Sequence, residues 1–578
     1  MHYRIKYVTR LKDTIVEFLI NLDVRFKLGF IGLIVGITSG LAAIFLNTSL
    51  HYLSAYFHQY KNLLFQFSLP IIGLFVTVLL LKYVIKDFGG HGVPDVIQSI
   101  SLNGGQLKFR SSFSKLIGSL ITISSGGSAG PEAPIVVSGS AIGSNFANIF
   151  KTDERIKIAV TGSGAAAAIA AIFNAPITGI IFTMEVILGE WTPIYLLPVV
   201  IASVTGTEIS RLLSGNQIPF THRIFEVNIV DILSSVGLAI FCALFSVLFI
   251  KMLRTTSSTL DRYIKNDLLK VILGGIPVAI IIFYLPYTRG EGYQFVQELI
   301  SGRFNEGILA IFIVIILKIV ATSFTLGAGG AGGVFAPALV IGSAGGYLYY
   351  SIIHFLAPQW SLNDSSLFSL VGMSGVISGT LQAPLTGIFL IIEITNGYDA
   401  ILLLLLVSFL TTTLVKLFEK QSIYNFDLVK KGFLHRPRTD GRILTDIQPI
   451  ELLEQDQIII HTDMLLTELI PVIKKSKRNY FPVVKKDNGD FLGMVYFNDL
   501  KEFIFDSNLQ NTIMVEEVMH SNLTTVSLTD TLSEIQNKFD LTDTWSLPVV
   551  EDGKFKGLIS KATMMDLYRK ELQVQTDR

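Results

Sequence analysis

From Leu28 to about Lys416 the chain alternates long apolar runs with shorter ones that Gly and Pro interrupt. Runs such as Leu28–Leu46, Ile229–Ile250 and Ala400–Leu417 are long enough to cross a bilayer as helices, whereas the broken runs are too short for all of them to span. Backbone freed by a break at membrane depth is tolerated only where it lines a cavity or is buried in protein. The breaks at 89–95, 126–134 and 327–337 are therefore the first places to look for a pathway. From Ile443 the apolar runs shorten to four or five residues, charged positions multiply, and strand-like alternation gives way repeatedly to amphipathic helical spacing. The pattern divides the chain into an N-terminal segment (1–27), a helical membrane domain (28–432), a linker (433–442) and two α/β modules outside the membrane (443–508 and 509–573).

Both large parts are repeated internally. Asn174–Val186, NAPITGIIFTMEV, returns as Gln382–Ile394, QAPLTGIFLIIEI, in register through Glu185 and Glu393. Upstream, GPEAPIVVSGSA from Gly130 pairs with GVFAPALVIGSA from Gly333, so each half runs from a Gly-rich break into an Ala-Pro helix. The pattern alone leaves open whether the halves are parallel or inverted. In the C-terminal part, Phe481–Val484 followed by DFLGMV (490–495) corresponds to Leu547–Val550 followed by KFKGLI (554–559), each copy reading strand, turn, strand, helix.

Composition agrees with the pattern: 50% of the 578 residues are hydrophobic and 16% charged, too few charges to cover a water-facing surface. A formal net charge of zero without a long basic stretch excludes nucleic acid as a partner. Arg4, Lys6, Arg10, Lys12, Arg25 and Lys27 precede the first apolar run, which places the N-terminus in the cytoplasm by the positive-inside rule. The single cysteine, Cys242, lies inside an apolar run and reads as a small core residue.

Gly130-Pro131-Glu132 has the form of a helix start, with Gly at the cap and Pro at the first helical position. Such a terminus attracts an anion through unpaired N–H groups without a full positive charge that would hold it too tightly to conduct. Glu132 is then a resident anion, and its protonation or swing would vacate the site, making it a gate by competition. The stretch Gly327–Pro337 offers a second approach of backbone N–H groups into a helix from Val334. Gly126-x-Ser128-x-Gly130 and Gly327-x-Gly329-x-x-Gly332 match a nucleophile elbow and a dinucleotide fingerprint, but neither has the strand or acidic partner its chemistry needs, so no enzyme is expected.

Through GGHGVPD (89–95), GPEAP (130–134), GGVFAP (332–337) and Tyr424, in this order and spacing, the chain resembles the CLC family of chloride channels and chloride/proton exchangers, many of which carry a C-terminal CBS pair. The resemblance implies an all-α polytopic membrane domain of two inverted repeats, one anion pore per subunit of a homodimer, and an α/β cytoplasmic CBS pair. It implies Glu132 as the gate, His91, Gly92, Val334, Phe335 and Tyr424 as anion-binding positions, and Lys115 as a buried charge favouring anions. His91 stands where chloride-selective relatives often have serine. Pro131 replaces a common arginine and removes a backbone N–H. Val186 occupies the place of a proton-passing glutamate found in well-studied exchangers. For the CBS pair the resemblance implies an adenine nucleotide, but the usual hydroxyl-plus-Asp arrangement is split between Tyr496 with Asp499 and Ser560 with Thr563, so a structural role stands equally. Because of Val186, the expected function is gated, channel-type chloride transport with no required cofactor. The alternative is chloride/proton antiport, with protons as a second partner; a membrane-anchored nucleotide sensor without transport comes third.

Overall fold

The computed structural model describes residues 23–60, 62–87, 92–216, 220, 225–304, 307–431, 447–542 and 544–576. The chain divides into two compact units, Met1–Leu434 and His435–Arg578. Helices build the first. Helix α1 (Val24–Gln59) begins where the Asp23 carboxylate accepts the Arg25 N–H at 2.8 Å, four residues before the expected boundary at Leu28, and runs far beyond Leu46. There follow α2 (Leu63–Leu79, continued by a π turn, Leu80–Val84), α3 (Val93–Leu102), α4 (Ser111–Ser124), α5 (Glu132–Ile149), α6 (Glu154–Phe173), α7 (Pro176–Phe182, continued by a π turn, Thr183–Leu188) and α8 (Pro193–Ser214).

The same succession then repeats as α9 (Ile229–Tyr263), α10 (Asp267–Tyr284), α11 (Tyr293–Ile300), α12 (Ile308–Gly327), α13 (Phe335–Leu356), α14 (Ser365–Leu381), α15 (Pro384–Thr395) and α16 (Ile401–Phe418), before a short α17 (Phe426–Lys430). Among the described residues nine of these helices are long and apolar enough to span a membrane, namely α1, α2, α6, α8, α9, α10, α12, α13 and α16. The Ala-Pro helices α7 and α15 belong to the shorter apolar set, as the broken pattern requires.

Backbone geometry repeats along with helix order. Asn174 and Gln382 close α6 and α14 in the left-handed region at φ 56° and 55°, and Ala175 and Ala383 follow at φ −129° in both halves. Lipid supplies no hydrophobic force between helices, so close packing through small residues holds them. Each half solves this alike: a Cβ at Gly143 on α5 would lie 2.2 Å from the Val160 carbonyl of α6, and one at Gly346 on α13 would lie 1.9 Å from the Phe368 carbonyl of α14.

A second device joins the halves. Glu185 accepts the backbone N–H groups of Leu385 (3.2 Å) and Thr386 (2.8 Å) and the Thr386 hydroxyl (2.7 Å), capping α15 of the other half. Its repeat partner Glu393 accepts Ile177 N–H (2.9 Å), Thr178 N–H (2.6 Å) and the Thr178 hydroxyl (2.6 Å), capping α7. A carboxylate at a helix N-terminus satisfies orphan donors and opposes the dipole. That each half caps the other, through equivalent residues, shows an approximate twofold relation between them.

In the second unit, β1 (Ile460–His461) pairs parallel with β2 (Tyr480–Val484), which pairs antiparallel with β3 (Phe491–Tyr496); β4 (Ser546–Glu551) and β5 (Lys554–Ser560) form the second antiparallel pair. A helix follows each hairpin, α18 (Phe497–Ile504) and α19 (Lys561–Thr576), so both copies keep the order read from sequence. Equivalent residues meet here too: Phe491 stacks on Phe555 with ring centroids 5.7 Å apart, beside a backbone bridge between Asp490 and Lys554. Inward strand positions such as Phe481, Val483, Leu547 and Val549 form the two cores.

Candidate anion pathway

Two Gly-rich breaks are tied together at the centre of the membrane unit. Gly130 N–H donates to the Gly333 carbonyl at 2.9 Å and Gly333 N–H returns a bond to the Gly130 carbonyl at 2.7 Å, an isolated antiparallel bridge between equivalent residues. Two residues further on in each half, α5 begins at Glu132 and α13 at Phe335. The segments run in opposite directions, as an inverted repeat demands, and bring two helix N-termini face to face. Space at the bridge is tight: a Cβ at Gly333 would lie 3.0 Å from the Ala133 nitrogen, and one at Gly130 would displace the Glu132 carboxylate, whose Oε2 would lie 1.9 Å away. This corrects the expected helix starts by one position. Pro131 and Val334 take the caps, because both backbone groups of Gly130 are engaged by Gly333, a contact no local pattern announces.

Glu132 is 1% exposed. Its Oε1 accepts the Tyr293 hydroxyl at 2.6 Å, while the backbone N–H groups of Glu132 itself and of Ala336 lie near the carboxylate. Oε2, packed against Gly130, has no hydrogen-bond partner of good geometry. The carboxylate therefore sits against the first turn of α13, where helix geometry leaves N–H groups unpaired. An anion arriving at that turn competes with it for the same donors.

On the near side of the bridge lies a cavity of about 590 Å³ whose wall includes Gly92, Lys115, Ala133, Val334 and Tyr424. Four residues widely separated in sequence and singled out by motif thus share one space. Gly92 begins α3 at φ 80°, and its missing side chain leaves the backbone close to Ala133. Lys115 on α4 is 9% exposed and donates to the Asp87 carbonyl at 3.4 Å. In the lining Arg254 pairs with Glu419 at 2.8 Å and Lys270 with Asp261 at 2.8 Å, so the positive balance that attracts anions comes from Lys115, Lys430 and Lys431 against Asp427. Tyr424 is buried, in the turn leading to α17. His91 lies outside the described residues.

Phe335 is not part of the cavity wall; its ring packs on Phe173 and Phe182, at 5.5 and 6.2 Å. Val186 is half-buried beside Glu185 and packs on the main core. Ser128, the serine of the elbow-like motif, is fully buried with its hydroxyl 2.9 Å from that of Thr322.

Three polar residues near Glu132 were not singled out from sequence. Tyr293 opens α11 and holds Glu132. Lys318, in the middle of α12, is 0% exposed, and its ammonium donates to the carbonyls of Gly290 (2.8 Å) and Thr288 (3.0 Å). Glu291 stands between Gly290 and Gly292, within electrostatic reach of both Lys318 and Glu132. The available signal was a lone lysine in the apolar run 308–327, since an ionisable residue at membrane depth is functional by default.

In the second unit the residues singled out are engaged internally. Asp499 Oδ2 lies 2.9 Å from His520 Nε2. Burial first, and the Asp499 charge second, push the Tyr496 phenol above its ordinary value, so it stays a neutral hydroxyl. The Ser560 hydroxyl donates to Glu454 Oε1 at 2.7 Å, Thr563 donates to the same oxygen, and Arg478 pairs with Glu454 Oε2 at 2.9 Å.

Facing helix ends, a competing carboxylate and a positively lined cavity in a multi-pass membrane unit define an anion transporter. The family model described as voltage gated chloride channel matches residues 72–416, and the CBS domain model matches 450–506 and 515–570, so the chain belongs to the voltage gated chloride channel (CLC) family and carries a CBS pair. It is similar to the H(+)/Cl(-) exchange transporter ClcA of Vibrio cholerae serotype O1, at 27% identity over 434 residues covering 72% of this chain and 92% of the relative. An uncharacterized protein of Methanocaldococcus jannaschii is 31% identical over 370 residues, covering 63% and 87%. Among solved structures, a slow cyanobacterial Cl-/H+ antiporter superposes with TM-score 0.64 at 22% identity, covering 71% of this chain and 99% of that one. A eukaryotic CLC transporter superposes with TM-score 0.62 at 18% identity, covering 93% and 97%, and so extends the likeness across nearly the whole chain.

Proposed function

We propose that this protein exchanges chloride for protons across the cell membrane, with Glu132 the group through which the two ions are coupled. The observation that carries the reading is the position of the Glu132 carboxylate against the first turn of α13, held by Tyr293, with the anion cavity on the near side of the bridge. Ionised, it occupies the donors an anion needs; protonated, it gives them up, so one group alternates between blocking chloride and carrying a proton. The name borne by the Vibrio cholerae relative supports exchange over the channel-type conduction that Val186 alone suggested. In this reading His91, Gly92, Val334, Phe335 and Tyr424 bind the anion, Lys115 favours its approach, and an apolar Val186 leaves protons to another route. The chain acts as a homodimer with one pore per subunit, its N-terminus and CBS pair cytoplasmic. The CBS pair is structural, because Glu454 already engages the Ser560 and Thr563 hydroxyls that a nucleotide would need.

The test is chloride efflux from liposomes containing the purified protein, with external pH recorded at the same time and Glu132→Ala run in parallel. Uphill proton movement driven by chloride, and lost in Glu132→Ala, is expected. Chloride flux without proton movement in the unmodified protein would return the reading to a channel.

A further inference from the structure

Behind the gate, among residues that do not line the anion cavity, the loop joining α10 to α11 places a second carboxylate, Glu291, within electrostatic reach of Lys318, as Glu132 is from α5. Lys318 donates to the carbonyls of Thr288 and Gly290 on one side of Glu291, and its Nζ would lie 3.3 Å from a Cβ placed on Gly292 on the other side. Glu291 is thus held in a loop folded around the ammonium. Glu132, on α5, is reached from the same loop through Tyr293, two residues further along. Neither carboxylate lines the cavity, nor do Tyr293 and Lys318. The two residues differ in placement: Glu132 is 1% exposed at the start of a helix, whereas Glu291 is a half-buried loop residue.

Charge counting assigns this arrangement a task. One buried ammonium balances one carboxylate; with both acids ionised the group carries an uncompensated negative charge in a low-dielectric site, and like charges sharing such a site do not both ionise readily. A single proton brings the set to neutrality, and it can reside on either acid. Among the described residues, the other charged or titratable groups around the set are Arg289, in the same loop with its Nε beside Gly126, Tyr293, bonded to Glu132, and Tyr424, which feels Glu132 from the cavity side. None of them offers another carboxylate.

We propose that Glu291 is a second proton-binding residue of the transport cycle, taking the proton from Glu132 and passing it to water on the side away from the anion cavity. In the step the O–H bond of the Glu132 carboxylic acid breaks as an O–H bond forms on the Glu291 carboxylate. Lys318 stays an ammonium, and the total charge of the three groups is unchanged. Tyr293 orients the Glu132 end and Lys318 holds the loop. The proposal rests on the exchange reading, since a passive channel has no proton to pass.

Proton and chloride fluxes recorded together from liposomes test it, comparing the unmodified protein with Glu291→Gln and Glu291→Asp. Removing one of two interacting acids is expected to lower the protons moved per chloride at least about fivefold in Glu291→Gln, with Glu291→Asp recovering at least about half of the ratio. An unchanged ratio in Glu291→Gln, beside clear coupling in the unmodified protein, overturns the proposal alone. Absence of coupling in the unmodified protein overturns the exchange reading and this proposal with it. If Glu291→Gln carries no chloride, proton uptake by the detergent-solubilised variant on chloride addition decides: loss of uptake supports the role, and uptake at the unmodified level overturns it.

Discussion

Glu132 and Phe335 begin equivalent helices two residues beyond the same glycine bridge, yet one is a buried carboxylate bonded to Tyr293 and the other an aromatic ring packed between Phe173 and Phe182. Glu185 and Glu393, by contrast, are alike in identity and in the three donors each accepts from the opposite half. The repeat thus keeps its symmetry where it builds the frame and loses it where it does chemistry. A duplicated scaffold brings two helix N-termini together; an ionisable side chain at one and backbone N–H groups at the other give, in the proposed reading, a gated site built on a symmetric frame.

The largest effect should come at the asymmetric pair. Glu132→Gln is expected to reduce coupled proton movement at least about 100-fold, whereas Phe335→Leu, which keeps the backbone donors, leaves the proton-to-chloride ratio within about twofold. Equal loss of coupling in both variants, measured in liposomes, would break the comparison. Next are the glycines of the frame: Gly143→Val and Gly346→Val each drive a side chain into a carbonyl of the neighbouring helix and should destabilise by about 3 kcal/mol or more. Thermal unfolding in detergent checks this, and a tolerant position in one half only would show that the frame is less symmetric than its backbone.

A smaller change is expected from Tyr293→Phe, which removes one hydrogen bond to the gate carboxylate. With a charge-assisted bond at about 1.5–3 kcal/mol, chloride flux should rise about tenfold as the gate is released more readily; a flux below that of the unmodified protein would reverse the role given to this tyrosine. The smallest effects are predicted for Glu185→Gln and Glu393→Gln. Each weakens a cap on the opposite half, by about 1 kcal/mol, with the two losses in melting temperature nearly equal.

Much of this was legible beforehand. The A-P repeat, the glycine breaks and the change of pattern near Ile443 announced a duplicated membrane domain and a pair of α/β modules, and the motif positions Gly92, Lys115, Val334 and Tyr424 do converge on one cavity. Tyr293 and Glu291 were not legible, because their meaning depends on a loop some 160 residues away in sequence from Glu132 folding back against it. Lys318 offered a signal as a lone charge in an apolar run but was not singled out, and its carbonyl partners were not legible.

By itself the sequence determined the elements and their repetition, since hydrophobic period, helix breakers and recurrent motifs act over a few turns of chain. Only the tertiary structure decided that Gly130 meets Gly333, that each half caps the other through Glu185 and Glu393, and that Lys318 holds the loop carrying Glu291 through the Thr288 and Gly290 carbonyls. Local pattern sets which backbone and ionisable groups lack a nearby partner; which distant group becomes that partner depends on how the two halves pack, and at membrane depth, where water is absent, that choice fixes the chemistry.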